Sequence, residues 1–329
     1  MELTKVTKLE EIRQSLDGDM SRLNDIIKNS LNSDSTLMNA VVESHLATKG
    51  KQLRPLLVLL SGKLFGGVDD TVLNAGAAIE LLHNASLIHD DVIDQAKERR
   101  GAPTVSSVYD NHIAVLTGDF FITSALRCAV RTGDPRILDE LAIMGGTLSL
   151  GEIDQINNAQ GRNINEATYM SIIGKKTAKL FESCVAVGGY ARNKDEESLK
   201  PLRRYAHLLG LCFQMKDDTF DYYDDHAVGK PTGNDLREGK ITLPLIYALS
   251  QETHPQHEAM QELVHKQELD TADIETLVTF AKDAGGIDYT YEVMEHLRQE
   301  ACVLLDAYEP CDTIEAFKQL FQFIIVRNN

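Results

Sequence analysis

Apolar residues recur at spacings of three and four almost throughout the chain, over 7–30, 54–65, 71–94, 111–131, 135–158, 166–188 and 198–222. That period matches the turn of an α-helix, so each stretch is expected to be a helix with one apolar stripe. The intervals between them carry turn chemistry: Gly66 with Gly67, 101–103, 133–135, 229–233, and Gly285 with Gly286. Strand-like alternation is nearly absent, and no fixed repeat of about 30 to 45 residues marks a solenoid. The pattern predicts an all-α chain of roughly ten helices packed as a large bundle, long enough to enclose a deep central cavity.

Composition narrows this picture in three ways. The 329 residues contain no Pro-, Ser- or Gly-rich linker, so residues 1–329 are expected to form a single domain. A formal charge of −17 excludes a nucleic-acid partner, which needs a clustered basic surface. Cys128, Cys184, Cys212, Cys302 and Cys311 are scattered without a CxxC pair, which suits a reduced compartment and neither a disulfide framework nor a zinc site. The charged, periodic N-terminus and the lack of an unbroken apolar run of about 18 residues predict a cytoplasmic protein with no transmembrane segment.

The chemistry is concentrated in two copies of DDxxD. GAAIELLHNASLIHDDVID puts Asp90, Asp91 and Asp94 at the end of one amphipathic stretch, and GLCFQMKDDTFD puts Asp217, Asp218 and Asp221 at the end of another. With 27 Asp in the chain, one such match arises by accident with probability of roughly 0.2 and two with roughly 0.02. Residues i and i+4 share a helix face about 6 Å apart, so Asp90 with Asp94 and Asp217 with Asp221 could hold neighbouring metal ions. Hard oxygen ligands without His or Cys favour Mg2+, which completes its shell with water and phosphate oxygens. Solvated acidic helix ends are the bland alternative. The helix dipole opposes it, because carboxylates at a C-terminal end are repelled unless cations offset them.

Cations in this acidic chain cluster in short pieces at expected helix boundaries: GKQLRP, DQAKERRGAP, GKKTAKL and GKPTGNDLREGK. Lys51, Arg54, Arg99, Arg100, Lys176, Lys230 and Lys240 are the candidates for holding phosphate oxygens. His83, Leu87, Asp90 and Asp94 form one helical stripe, and Gln214, Asp217 and Asp221 another, which points His83 and Gln214 into the same space as the aspartates.

The ordered set from GKQLRP through LLHNASLIHDDVID, RRGAPT, GEIDQ, KKTAKL, FQMKDDTFD and GKPTGNDLREGKITLPL to GGIDYTYEVM resembles the trans-isoprenyl (polyprenyl) diphosphate synthase family nearly end to end. The resemblance implies the all-helical isoprenoid-synthase fold, a homodimer, and three Mg2+ ions per site. It implies that Asp90, Asp94 and Asp217 ligate Mg2+, with Asp91, Asp218 and Asp221 as further or indirect ligands. Arg99 would hold the allylic diphosphate with the metals, while Lys51, Arg54, His83 and Arg100 would hold isopentenyl diphosphate. Lys176, Thr177, Gln214, Lys230 and Lys240 would contact the allylic leaving group. Where the family commonly has GGKRxRP this chain has KGKQLRP, which removes a contact at Gln52 and keeps Lys51 and Arg54.

In that family the residues just before the first aspartate motif limit chain growth. Here Ala85 and Ser86 are small, which predicts a product of about C30 to C50, handed to a membrane. Phe65, Phe120 and Phe121 are candidates for the cavity floor. A short-chain synthase, a terpene cyclase and one subunit of a heterodimer are the competing readings. The cyclase is disfavoured by the absence of Trp, an aromatic content of 6% and the complete second motif.

Overall fold

The computed structural model describes residues 3–48, 50–162, 164–223, 232–266 and 268–327; Lys230 lies outside them. The helices in the first half of the chain are α1 (Leu3–Gln14), α2 (Asp17–Ser30), α3 (Thr36–Ala47), α4 (Leu53–Leu64), α5 (Asp70–Ile93), the short α6 (Val105–Val108), α7 (Asn111–Arg131) and α8 (Pro135–Gly161). There follow α9 (Glu166–Ile173), a π-helical turn (Gly174–Ala178), α10 (Lys179–Tyr190), α11 (Glu196–Phe220), α12 (Asn234–Arg237), α13 (Leu243–Leu249), α14 (His257–Val264), α15 (Thr271–Asp283), α16 (Gly286–Leu304) and α17 (Asp312–Val326). Among the described residues the only strands are β1 (Glu98–Arg99) and β2 (Ala102–Pro103), an antiparallel pair after α5. The all-α expectation holds, with more and shorter helices than the periodicity alone resolves. The stretch 7–30 divides at Ser15 and Leu16, and α3 falls where no stretch was read.

Contacts group the chain into two compact units: Met1–Gly145 with Ser183–Arg203 and Asp312–Ile314, and Gly146–Glu182 with Arg204–Cys311 and Glu315–Asn329. In the first unit α5 is the central helix, packed against α2, α4 and α7. Its start is set by Asp69, whose side chain accepts from the Val72 N–H at 3.0 Å, a cap worth about 1 kcal/mol. Small residues let the neighbours come close. Ala75, Ala77 and Ala78 are fully buried, and a Cβ at Gly76 would lie 2.6 Å from Leu23 Cδ1. The middle turn of α4 is apolar on every side, with Leu56, Leu57, Val58 and Leu59 all sealed from solvent, as a helix must be where it is covered all round.

α7 is long and apolar enough, by length and composition, to cross a membrane. One face packs on α5 and buries Ala114, Gly118, Phe121 and Ala125. The other exposes Val115, Leu116, Leu126 and Val130.

In the second unit Tyr205 of α11 is fully buried, donates its hydroxyl to the Phe317 carbonyl at 2.6 Å and meets Phe317 and Phe321 edge-on. These contacts fix α17 to α11. A Cβ at Gly210 would lie 2.5 Å from the Ala178 Cα, so α11 crosses the end of the π-helical turn almost backbone to backbone. That approach aligns the C-terminal half of α11 with Lys176 and Thr177. A π turn inserts one extra residue into a helix and re-aims the side chains around it.

Candidate active site

In the first unit the last turn of α5 carries Asp90, Asp91 and Asp94. Asp90 is half-buried and Asp94 is exposed at the helix C-cap, where its N–H bonds the Asp90 carbonyl at 2.8 Å. Asp91 turns the other way. It is buried and accepts from Arg99 Nε at 2.8 Å. Burial raises the Asp91 carboxyl above its ordinary value, and the Arg99 charge opposes that rise. Arg99 reaches it because β1 and β2 fold the chain back after α5, a return pinned by the Thr104 hydroxyl donating to the Ala96 carbonyl at 2.7 Å.

Of the cations expected beside this motif, Arg54, Arg99 and Arg100 act on His83. His83 is buried one side of α5, and its basicity falls well below the ordinary value through burial and then through Arg54, Arg100 and Arg99. It is therefore a neutral imidazole near pH 7. A cavity lined by Asn24, Lys28, Gln52, Glu80, Asn84 and Arg100 lies at the same place. The Gly50 backbone runs against Arg100, since a Cβ there would meet Nη1 at 2.5 Å. Lys51, in the turn that follows, is exposed. Gln52 adopts a left-handed conformation with φ of 45° and donates to Asn24 Oδ1 at 2.8 Å. That side chain ties the turn to α2. Ala85 is fully buried, while Ser86 is half-buried and donates its hydroxyl to the His83 carbonyl at 2.9 Å. Phe121 is sealed in the core, edge-on to His45, and Phe120 is half-buried beside it. Phe65, at the end of α4, lies under the Lys194 ammonium.

In the second unit the end of α11 allocates its three aspartates differently. Asp217 Oδ1 pairs with Arg327 Nη2 at 2.5 Å. Asp218 is buried, accepting from the Tyr169 hydroxyl at 2.6 Å and from Gln214 Nε2 at 2.8 Å. Asp221 accepts the backbone N–H groups of Asn234 and Asp235 at 2.9 and 3.0 Å, anchoring the start of α12. The stripe placed Gln214 with Asp217 and Asp221. In the structure it bonds Asp218, the residue four places on, because i and i+4 are neighbours on the helix surface.

Thr177 donates to Gln214 Oε1 at 2.7 Å, so a continuous relay runs from the π-helical turn through Gln214 to Asp218. Lys176, Thr177, Gln214, Asp218, Asp235 and Lys240 line one cavity of about 130 Å3. Lys176 is paired with Glu152 at 2.6 Å and Lys240 with Glu238 at 2.5 Å. Burial pushes Asp218 up to about 6, its hydrogen bonds pull it down, and the Asp217 and Asp221 charges raise it. Asp235 is held well above its ordinary value by burial and by Asp218 and Asp221.

Glu80, Glu152, Tyr169, Asp235 and Arg327 did not emerge from the sequence as site residues. GEIDQ and NDLREGK contain two of them, but nothing local distinguishes Glu80 or Arg327.

The donor chemistry suits a divalent cation of the magnesium type. Both motifs offer carboxylate oxygens only, and the Asp217 and Asp221 charges add to the burial that raises Asp218, negative charge that a cation relieves. Among the described residues no three His, Cys, Asp or Glu side chains converge into a closed metal cluster. An ion that keeps waters and takes phosphate oxygens needs no such cage.

A family model described as polyprenyl synthetase matches residues 35–281. The chain is 31% identical over 321 residues to the octaprenyl diphosphate synthase of Escherichia coli, covering 97% of this chain and 99% of that one. It is 33% identical over 291 residues to the heptaprenyl diphosphate synthase component 2 of Bacillus subtilis, covering 87% and 81%. The crystal structure of a polyprenyl synthase from Caulobacter crescentus, complexed with calcium and isoprenyl diphosphate, superposes with a TM-score of 0.90 at 30% identity, over 98% of each chain.

Proposed function

This chain belongs to the polyprenyl synthetase family and is a prenyltransferase, and we propose that it condenses isopentenyl diphosphate with an allylic diphosphate primer to give an all-trans polyprenyl diphosphate of about C30 to C50. The observation that carries the reading is that each aspartate motif has its own set of cations. Arg99 is bound to Asp91 of the first, where Arg54 and Arg100 also lower the basicity of nearby His83, and Lys176 and Lys240 share a cavity with Asp218 of the second. A reaction that joins two diphosphate substrates needs cations enough to hold both.

Asp90, Asp94 and Asp217 hold Mg2+, three ions per site, while Asp91, Asp218 and Asp221 orient the groups around them. When bound, Mg2+ supplies charge that stabilises the departing pyrophosphate. Arg99, Lys176, Thr177, Gln214, Lys230 and Lys240 hold that leaving group. Lys51, Arg54, His83 and Arg100 hold isopentenyl diphosphate, and the neutral His83 donates a hydrogen bond without adding charge. After the double bond attacks the allylic carbon, the released pyrophosphate accepts the proton. Ala85 and Ser86 leave room for the growing tail. The working molecule is a homodimer, supported by the exposed apolar face of α7, where Leu116 is 58% and Val130 65% exposed.

The test is incubation of the purified chain with labelled isopentenyl diphosphate, Mg2+ and a primer series, followed by sizing of the products. All-trans products near C30 to C50 are expected; no elongation of any primer by the chain alone overturns the reading. One alternative has a specific support, the relative named as component 2 of a heptaprenyl synthase. Activity gained only on adding a second subunit would favour it.

A further inference from the structure

Arg327 is the C-cap residue of α17 and is only 8% exposed. Its guanidinium is fixed at several points. Nη2 bonds Asp217 Oδ1 at 2.5 Å and the Phe213 carbonyl at 3.1 Å. The guanidinium carbon stacks over the Phe213 ring at 4.2 Å and lies 5.7 Å from the Phe220 ring. Phe213, Asp217 and Phe220 lie on one face of α11, at spacings of four and three, so a single residue of α17 spans two turns of that face.

We propose that Arg327 is a positioning residue for Asp217, fixing one carboxylate oxygen so that the side chain presents its other oxygen to the divalent cation in a single orientation. The proposal rests on the reading of Asp217 as a metal ligand. A carboxylate alone at a helix end can rotate about both of its side-chain torsions, and only some orientations suit an octahedral ion. Metal-ligating carboxylates are commonly held by a hydrogen bond to an outer partner, and removal of that partner weakens the ion. Stacking between rings and bonding to a carbonyl make Arg327 a fixture. A gate that left Asp217 to admit the metal would strand a buried guanidinium, so the geometry favours permanent support over displacement.

The test uses the full chain with Mn2+ as a spectroscopic substitute for Mg2+ and inorganic pyrophosphate as the anion. R327M keeps the bulk of the side chain and removes its charge. By electron paramagnetic resonance it should raise the dissociation constant of Mn2+ about tenfold or more. It should raise the Mg2+ concentration for half-maximal turnover by a similar factor and leave the KM for isopentenyl diphosphate unchanged. R327K should fall between wild type and R327M, at least threefold weaker than wild type, because ammonium keeps the charge and loses the planar fork. In a D217N background R327M should add less than about twofold.

Unchanged or tighter Mn2+ binding in a folded R327M overturns the proposal. Should R327M not fold, R327K decides, and unaltered Mn2+ affinity there overturns it equally. The underlying reading fails separately: if D217N itself leaves Mn2+ affinity untouched, Asp217 is no ligand. If D217N weakens Mn2+ and R327M does not, only the positioning role is lost.

Discussion

The two DDxxD motifs share a spelling and differ in what their middle and last aspartates do. At the end of α5 the middle aspartate, Asp91, is buried against a full charge, Arg99. At the end of α11 the middle aspartate, Asp218, is buried against neutral donors, Tyr169 and Gln214. The last aspartate of the first motif is an exposed helix cap, whereas that of the second is committed to the backbone of Asn234 and Asp235. The turns beneath them differ as well, with Ala85 and Ser86 five and four places before Asp90 and Cys212 and Phe213 at the same places before Asp217. One motif therefore stands over small side chains, and the other is braced by packing and hydrogen bonds. Identical sequence signatures report the type of chemistry; the partners decide how each carboxylate is used.

The largest effect should show where the motifs are alike. D90A and D217A are each expected to lower turnover by about 10^3-fold or more with circular dichroism unchanged, since each removes a carboxylate that would hold the cation acting on the leaving pyrophosphate. A near-normal rate in either variant breaks the equivalence of the two motifs. Next comes a residue that separates them. D91N frees Arg99 from its anchor and should reduce kcat/KM for the allylic primer by about 10^2-fold. The double variant D91N/R99Q should be no worse than R99Q, and additive losses would show that Asp91 acts by another route.

The small turn below Asp90 gives a third contrast. S86F places a ring beside the fully buried Ala85 and should shift the product distribution at least about tenfold toward shorter chains, read by reversed-phase chromatography, while initial turnover stays within about tenfold of wild type. An unchanged distribution removes α5 from the control of product length.

Much of this was legible in the sequence because helical periodicity and turn residues are local signals. α5, α7 and α11 start and end within about two residues of the periodic stretches that predicted them. The break at Ser15 and Leu16 was hidden because the apolar spacing continues across it. α3 was missed although Ser35 caps it, accepting from the Met38 N–H. The π-helical turn at Gly174–Ala178 leaves no mark in composition, since its extra residue changes hydrogen-bond register without changing apolar content. In the site, Arg54, Arg99 and Arg100 lie near enough to His83 to lower its basicity. Arg327 lies 110 positions from Asp217 and Glu80 sits in an ordinary helical run. Periodicity tells which face a residue occupies and says nothing of what opposes it from elsewhere in the chain.

The smallest effect tests the electrostatic side of the same contrast. Asp218 has an ordinary value of 3.8 and is pushed up to about 6, so the folded chain holds its proton more tightly than the unfolded one. The stability this contributes is fully present below 3.8 and is lost as pH rises through about 6. Between pH 5 and pH 8 the loss is about 1 kcal/mol, about one to two degrees of melting temperature for a chain of this length. D218N cannot titrate, so the excess in melting temperature of wild type over D218N, measured with EDTA present, should be larger at pH 5 than at pH 8. Asp91 is also raised by burial, but the Arg99 charge opposes the rise, so D91N should show a smaller swing of the same sign. A swing for D91N equal to that for D218N would mean that the guanidinium does not offset the buried charge. In that case the contrast between a charged and a neutral partner would carry no energetic consequence.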